Sequence, residues 1–128
     1  MKKFITLLLS VPFLAGCALP AGQEVNYRQI NMDEAITMME EESSYIILDV
    51  RTPEEFAERH IPGAINIPNE TISTEEIPEL PNKDQLILVY CRSGNRSKQA
   101  SEKLVALGYT NIVEFGGIND WPGEIVTG

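Results

Sequence analysis

Two stretches of the chain, 45–50 (Tyr45-Ile-Ile-Leu-Asp-Val50) and 86–90 (Leu86-Ile-Leu-Val-Tyr90), are nearly unbroken apolar runs. That pattern belongs to strands buried on both faces. Met32, Ala35, Ile36 and Met39 recur at helical spacing. Asn31 before them and Glu34 three residues on form a capping-box pattern, so a helix is predicted over 31–41. Thr52-Pro53-Glu54-Glu55 opens a second, brief helix that ends near His60, with Thr as N-cap and Pro at the first helical position. Pro62-Gly63 reads as a turn, and 64–67 as a short strand closed by Pro68. Residues 69–84 are acidic and broken by prolines, which predicts one or two helical turns between loops. A polar turn is predicted over 91–97. A helix follows over 98–107, with Ala100, Leu104 and Leu107 inward and Gly108 as its C-cap. Short strands are predicted at 27–30 and 112–115.

Strands that alternate with helical segments imply an α/β fold: a mostly parallel sheet with right-handed crossovers and helices on both faces. Ligands of such sheets bind beyond the carboxyl ends of the strands. Cys91 stands at one of these ends.

The first twenty residues follow a different logic. Lys2 and Lys3 precede the apolar run from Phe4 to Leu14, and Ala15-Gly16-Cys17 follows it. A basic start, an apolar stretch of about a dozen residues and a small-residue exit make a secretory signal. The stretch is short for a ~30 Å bilayer core, and Pro12 interrupts it. Leu14-Ala15-Gly16-Cys17 resembles the lipobox of bacterial lipoproteins. The resemblance implies cleavage before Cys17 and a diacylglycerol thioether on its sulfur. The expected organisation is a signal peptide over 1–16, a tether over 17–26 and one domain over 27–128. The expected location is outside the cytoplasm, lipid-anchored to the bacterial cell membrane, because two or more acyl chains anchor stably without a spanning helix.

Charge and cysteine content narrow the chemistry. The chain of 128 residues carries 10 basic and 19 acidic side chains, a net charge of −9. Removing Lys2 and Lys3 leaves 8 against 19, or −11. No nucleic-acid partner is expected, because phosphate binding needs a basic face. Two Cys and one His are too few for a disulfide scaffold or a Cys/His zinc site, so no metal and no cofactor are expected. With Cys17 lipidated, Cys91 is the remaining thiol. An unpaired Cys in an exported protein is a liability unless it has a use.

The segment Cys91-Arg92-Ser93-Gly94-Asn95-Arg96-Ser97 runs from a strand end to a helix start. Unpaired N–H groups at a helix start point at whatever sits in the turn. Gly94 and Asn95 tolerate unusual backbone angles, so the loop can curl and aim several amides inward. Arg92, Arg96 and Lys98 lie in a stretch, 85–101, that holds no carboxylate. Positive neighbours and a helix N-terminus stabilise a thiolate. The cup suits a Cys nucleophile that acts on an anion or carries an extra anionic sulfur. Arg96 is the expected structural cation of the loop, whereas Arg92 is as well placed to be a solvated surface charge.

At this point the chain resembles the single-domain rhodaneses, the thiosulfate sulfurtransferases and their relatives. The pieces that carry the likeness are Leu48-Asp-Val-Arg-Thr-Pro-Glu-Glu-Phe56, His60-Ile-Pro-Gly-Ala-Ile-Asn-Ile-Pro68, the loop Cys91-Arg-Ser-Gly-Asn-Arg96, and Gly116-Gly117-Ile118 to Trp121. The resemblance spans roughly 27–126. It implies a rhodanese-like three-layer fold of about five parallel strands and a Cys91 that cycles between thiolate and persulfide. It implies a small anionic sulfur donor such as thiosulfate, and a thiol, cyanide or protein acceptor. The active loop counts six residues, Cys91 through Arg96, one fewer than in the fold's phosphatase relatives. A phosphatase or arsenate reductase is disfavoured on that ground. The second reading is a membrane-anchored sulfur carrier with little small-molecule turnover.

Asp49 and Arg51 flank the end of the first core strand. They either line the pocket or, as the pairing of buried charges favours, tie the strand-end loops together. His60, at a helix exit, is expected to hydrogen-bond its turn. Trp121 is expected to cover the core's edge.

Overall fold

The computed structural model describes residues 27–128. The signal peptide over 1–16, the tether over 17–26 and Cys17 lie outside the described residues. Strands β1 (Arg28–Gln29), β2 (Ile46–Asp49), β3 (Ile65–Asn66), β4 (Ile87–Cys91) and β5 (Ile112–Gly117) form one sheet in the order β1-β5-β4-β2-β3. Every neighbouring pair is parallel. Helices α1 (Met32–Glu41), α2 (Pro53–Glu58) and α3 (Asn95–Ala106) cover its two faces, so the expected three-layer α/β architecture is the one observed.

Both predicted helix starts close as capping boxes. Asn31 Oδ1 accepts from Glu34 N at 2.8 Å while Asn31 N donates to Glu34 Oε1 at 2.9 Å. Thr52 and Glu55 repeat the exchange at 3.2 and 3.0 Å. These bonds satisfy amides that a helix start leaves unpaired.

Alternation along β4 assigns each side chain to a layer. Ile87, Val89 and Cys91 face the cluster built with Ala100 and Leu104 of α3. Leu88 and Tyr90 face the opposite cluster, with Ala35 of α1 and Phe56 of α2. Burial on both sides explains why β2 and β4 read as unbroken apolar runs.

One expectation needs correction. The last long helix begins at Asn95, not Lys98. Gly94 turns the chain at φ 113°, so Asn95, Arg96 and Ser97 already form its first turn. The segment 69–84 holds one helical turn, the 3-10 turn Asn69–Thr71, as its acidic, proline-broken sequence predicts. Pro68, Pro78 and Pro81 deny it a longer helix. Its Ile72, Ile77 and Leu80 bury one at a time against the α3 face.

Candidate active site

From Cys91, the last residue of β4, three residues lead into α3: Arg92, Ser93 and Gly94. A left-handed φ of 113° is open to glycine at little cost, and it swings the Gly94 amide back toward the strand end. That amide donates to Cys91 Sγ at 3.0 Å. Ser97 Oγ, one turn into α3, lies 3.5 Å from the same sulfur. Of the several inward amides expected, Gly94 N–H is the one the structure bonds to Sγ. Cys91 is 1% exposed.

The carboxyl end of β5 braces the loop. Cys91 pairs in register with Gly117, and the ladder shifts between Val89 and Cys91. Asn119 N donates to Arg92 O at 3.2 Å. A Cβ on Gly117 would lie 2.0 Å from Arg92 O, so the absent side chain is what lets the strand backbone reach the loop.

The positive stretch of sequence does not become an uncompensated positive site. β2 pairs with β4, so the loop after β2 and the helix it starts stand beside the end of β4. Glu55 of α2 therefore reaches both arginines. Arg96 Nη1 and Nη2 grip its two oxygens at 2.8 and 3.2 Å, and Arg92 Nη1 adds a contact of 3.3 Å. Hydrogen bonding to Arg96 holds the Glu55 carboxyl far below the ordinary carboxylate range. The same bond raises Arg96, with Cys91 among the weaker influences. Arg96 is thus the structural cation that was expected, whereas Arg92 is half outside and its contact is the looser one. Lys98, Ser93 and Asn95 are exposed.

A second carboxylate arrives from β5. Glu114 is buried, and its Oε2 accepts from Ser97 Oγ at 2.5 Å and from Gly116 N at 3.0 Å. Neither acid was singled out as part of the site. Glu55 had a signal in its capping-box position, and Glu114 in being the lone charge of the apolar run 112–115.

Asp49 and Arg51 form a buried pair. Arg51 Nη2 meets Asp49 Oδ2 at 2.7 Å and Arg59 O at 2.6 Å, and Arg51 Nε spans both Asp49 oxygens. Burial opposes the Arg51 charge, and its bonds to Asp49 more than offset that. Asn66 Nδ2 donates to the carbonyls of both residues, at 3.0 and 2.9 Å, tying the ends of β2 and β3 together. This geometry favours the structural role for the pair. His60 Nδ1 contacts Phe56 O at 2.9 Å, and its ring stacks on Phe56 with centroids 3.8 Å apart. The partners of its ring lie in its own helical turn, while its backbone pairs with Val126. Trp121 packs against Phe115 at the core's edge.

Comparison with known proteins places these features among others of their kind. The family described as rhodanese-like domain matches residues 31–124. "Thiosulfate sulfurtransferase PspE" of Escherichia coli is 40% identical over 73 residues, covering 57% of this chain and 70% of that protein. "Adenylyltransferase and sulfurtransferase uba4" of the yeast Ogataea parapolymorpha is 30% identical over 105 residues, which are 80% of this chain and 27% of the yeast protein. The chain thus spans about a quarter of that relative. Among solved structures, one described as rhodanese with anions from E. coli superposes with a TM-score of 0.61 at 36% identity, covering 66% of this chain and all of that one.

Proposed function

The chain belongs to the rhodanese-like domain family, and from that premise we propose that it moves a sulfane sulfur through a persulfide on Cys91. The observation that carries this reading is the seat of the sulfur. Cys91 Sγ lies at the carboxyl end of a central parallel strand, takes a hydrogen bond from Gly94 N–H, and faces the start of α3. A helix start with inward amides holds negative charge, whether on a thiolate or on the outer sulfur of a persulfide.

The Cys91 thiolate attacks the outer sulfur of the donor. The new S–S bond forms as the old one breaks, and sulfite leaves from thiosulfate, or a thiolate from a persulfide donor. The loop Arg92–Ser97 encloses the resulting persulfide, with Arg96 fixing its shape. An acceptor thiolate or cyanide then takes the outer sulfur and returns Cys91 as thiolate, in a ping-pong cycle. Cys91 is 1% exposed, so donor and acceptor must each bring a slender group to its sulfur. The guanidinium fork of Arg96 is already engaged by Glu55, which speaks against its holding a phosphate.

Glu55 also favours the carrier reading as the second choice. By pairing with both arginines it lowers the positive charge that would draw in a small dianion. Mixing the full chain with thiosulfate should add one sulfur atom at Cys91, read by mass, and Cys91→Ala should abolish the gain. Rapid turnover with cyanide or a thiol then marks an enzyme, and slow turnover a carrier. Efficient aryl phosphate hydrolysis with no gain of sulfur would overturn both readings.

A further inference from the structure

Glu114 is a buried acid that the sulfur chemistry above does not use. It is 3% exposed and has no basic partner among the described residues. Buried charges are ordinarily paired, because leaving water is costly for them. Here the carboxyl meets Ser97 Oγ at 2.5 Å, Gly116 N at 3.0 Å and, through its other oxygen, Gln29 Nε2 at 3.4 Å.

Ser97 has one hydroxyl proton and stands among acceptors. Glu114 Oε2 is at 2.5 Å, Gly94 O at 2.9 Å and Gly116 O at 3.4 Å. On its other side is Cys91 Sγ, at 3.5 Å. The bonds join into one chain: Gly94 N–H to Sγ, S–H to Ser97 Oγ, and O–H to Glu114 Oε2. Moving both protons one place along leaves every member satisfied. The sulfur then accepts from Ser97, and Ser97 accepts from the carboxylic acid.

We propose that Cys91, Ser97 and Glu114 share one proton chain in which Glu114 takes up the thiol proton through Ser97. The S–H bond breaks as a new Oγ–H bond forms, and the old Oγ–H bond breaks as an Oε2–H bond forms. No electrons are lost or gained. The negative charge moves from the carboxylate to the sulfur, and the buried site holds a single charge in both forms. Glu114 is a positioning residue, since it acts on the reacting sulfur through Ser97. Sulfur transfer as proposed above gives the thiolate its use, but the chain itself rests on this geometry.

The neighbouring ionisable groups do not duplicate the role. Tyr27, ahead of β1, feels Glu114 weakly. Lys98 of α3 and Glu34 of α1 line the open cleft beside it. Arg96 feels Cys91 weakly and is held by Glu55.

A thiol and a carboxyl that share one charge titrate as a pair, in two steps. Between the steps the thiolate fraction does not depend on pH. The rate of Cys91 alkylation by iodoacetamide, followed by peptide mass in the full chain, reads this directly. The wild type should show a plateau on which the rate changes less than about twofold per pH unit, between two rises. Glu114→Gln should show one rise, of about tenfold per pH unit, and no plateau. A single rise in the wild type, or a plateau that survives in Glu114→Gln, overturns the proposal.

Should the variant not fold, infrared spectra of the wild type at neutral pH decide. Alkylating Cys91 leaves a neutral thioether, so the C=O stretch of a protonated carboxyl should disappear. An unchanged carboxyl region counts against the chain. Alkylation needs no sulfur donor, so failure of the proton chain is read separately from failure of thiosulfate to load Cys91.

Discussion

Glu55 performs two tasks with one carboxylate. It closes the capping box of α2 through Thr52, and it binds both arginines of the active loop. Because its partners hold its carboxyl below the ordinary range, it ties folding to pH. A depressed carboxyl stabilises the fold fully above its unfolded value and progressively less as pH falls toward its folded one. The contribution is therefore complete at neutral pH and erodes below pH ~4. Glu55→Gln keeps the shape and loses the charge. Denaturant unfolding should find the variant less stable than wild type at pH 7, with the gap shrinking steadily below pH ~4. A gap that is constant across that range would show that the two arginines gain nothing from the charge. Tyr90 shows the opposite case at the same end of the sheet. Burial pushes its hydroxyl above the ordinary range, and the neutral oxygen accepts from Ile61 N at 3.1 Å.

The turn from β4 to α3 works because β5 lies against it without a side chain in between. Gly117→Ala would force a methyl to within 2.0 Å of Arg92 O. Overpacking against backbone typically costs 1–3 kcal/mol, and relief here requires moving the turn that carries Gly94 N–H, so a loss of about 3 kcal/mol is expected. Thermal or denaturant unfolding measures it, and loading of Cys91 by thiosulfate should fall with it. Unchanged stability together with normal loading would mean that the turn is pliable. The sequence disclosed the elements of this region but not how close they come. Unbroken apolar runs announced β2 and β4, capping residues announced α1 and α2, and the glycine-bearing loop pointed to Cys91. All of these signals are local in the chain. The carboxylates that meet the loop are not: Glu55 is 41 residues from Arg96, and Glu114 is 17 from Ser97. Counting charges along 85–101 therefore described a positive island that Glu55, brought in by the pairing of β2 with β4, partly neutralises.

At the scale of the whole molecule, the reading of residues 1–26 remains a proposal: a signal peptide, then Cys17 lipidated and holding the domain to a bacterial membrane on its extracytoplasmic side. Cys17→Ser should move the protein from the membrane fraction to a soluble or uncleaved form, and the acyl mass on the amino-terminal peptide should vanish. Unchanged fractionation with no acyl mass on the wild type would remove the anchor.

The parallel sheet gives such an anchor a direction. Every strand runs the same way, so residues 17–26 lead into the amino end of β1, while Cys91 lies at the carboxyl end of β4. The domain thus has two poles, and the proposed anchor joins one while the proposed chemistry sits at the other. A molecule hung from its attachment pole turns the sulfur away from whatever surface holds it. A sulfur acceptor can then bring a slender group to Cys91 from the open side without competing with that surface for room.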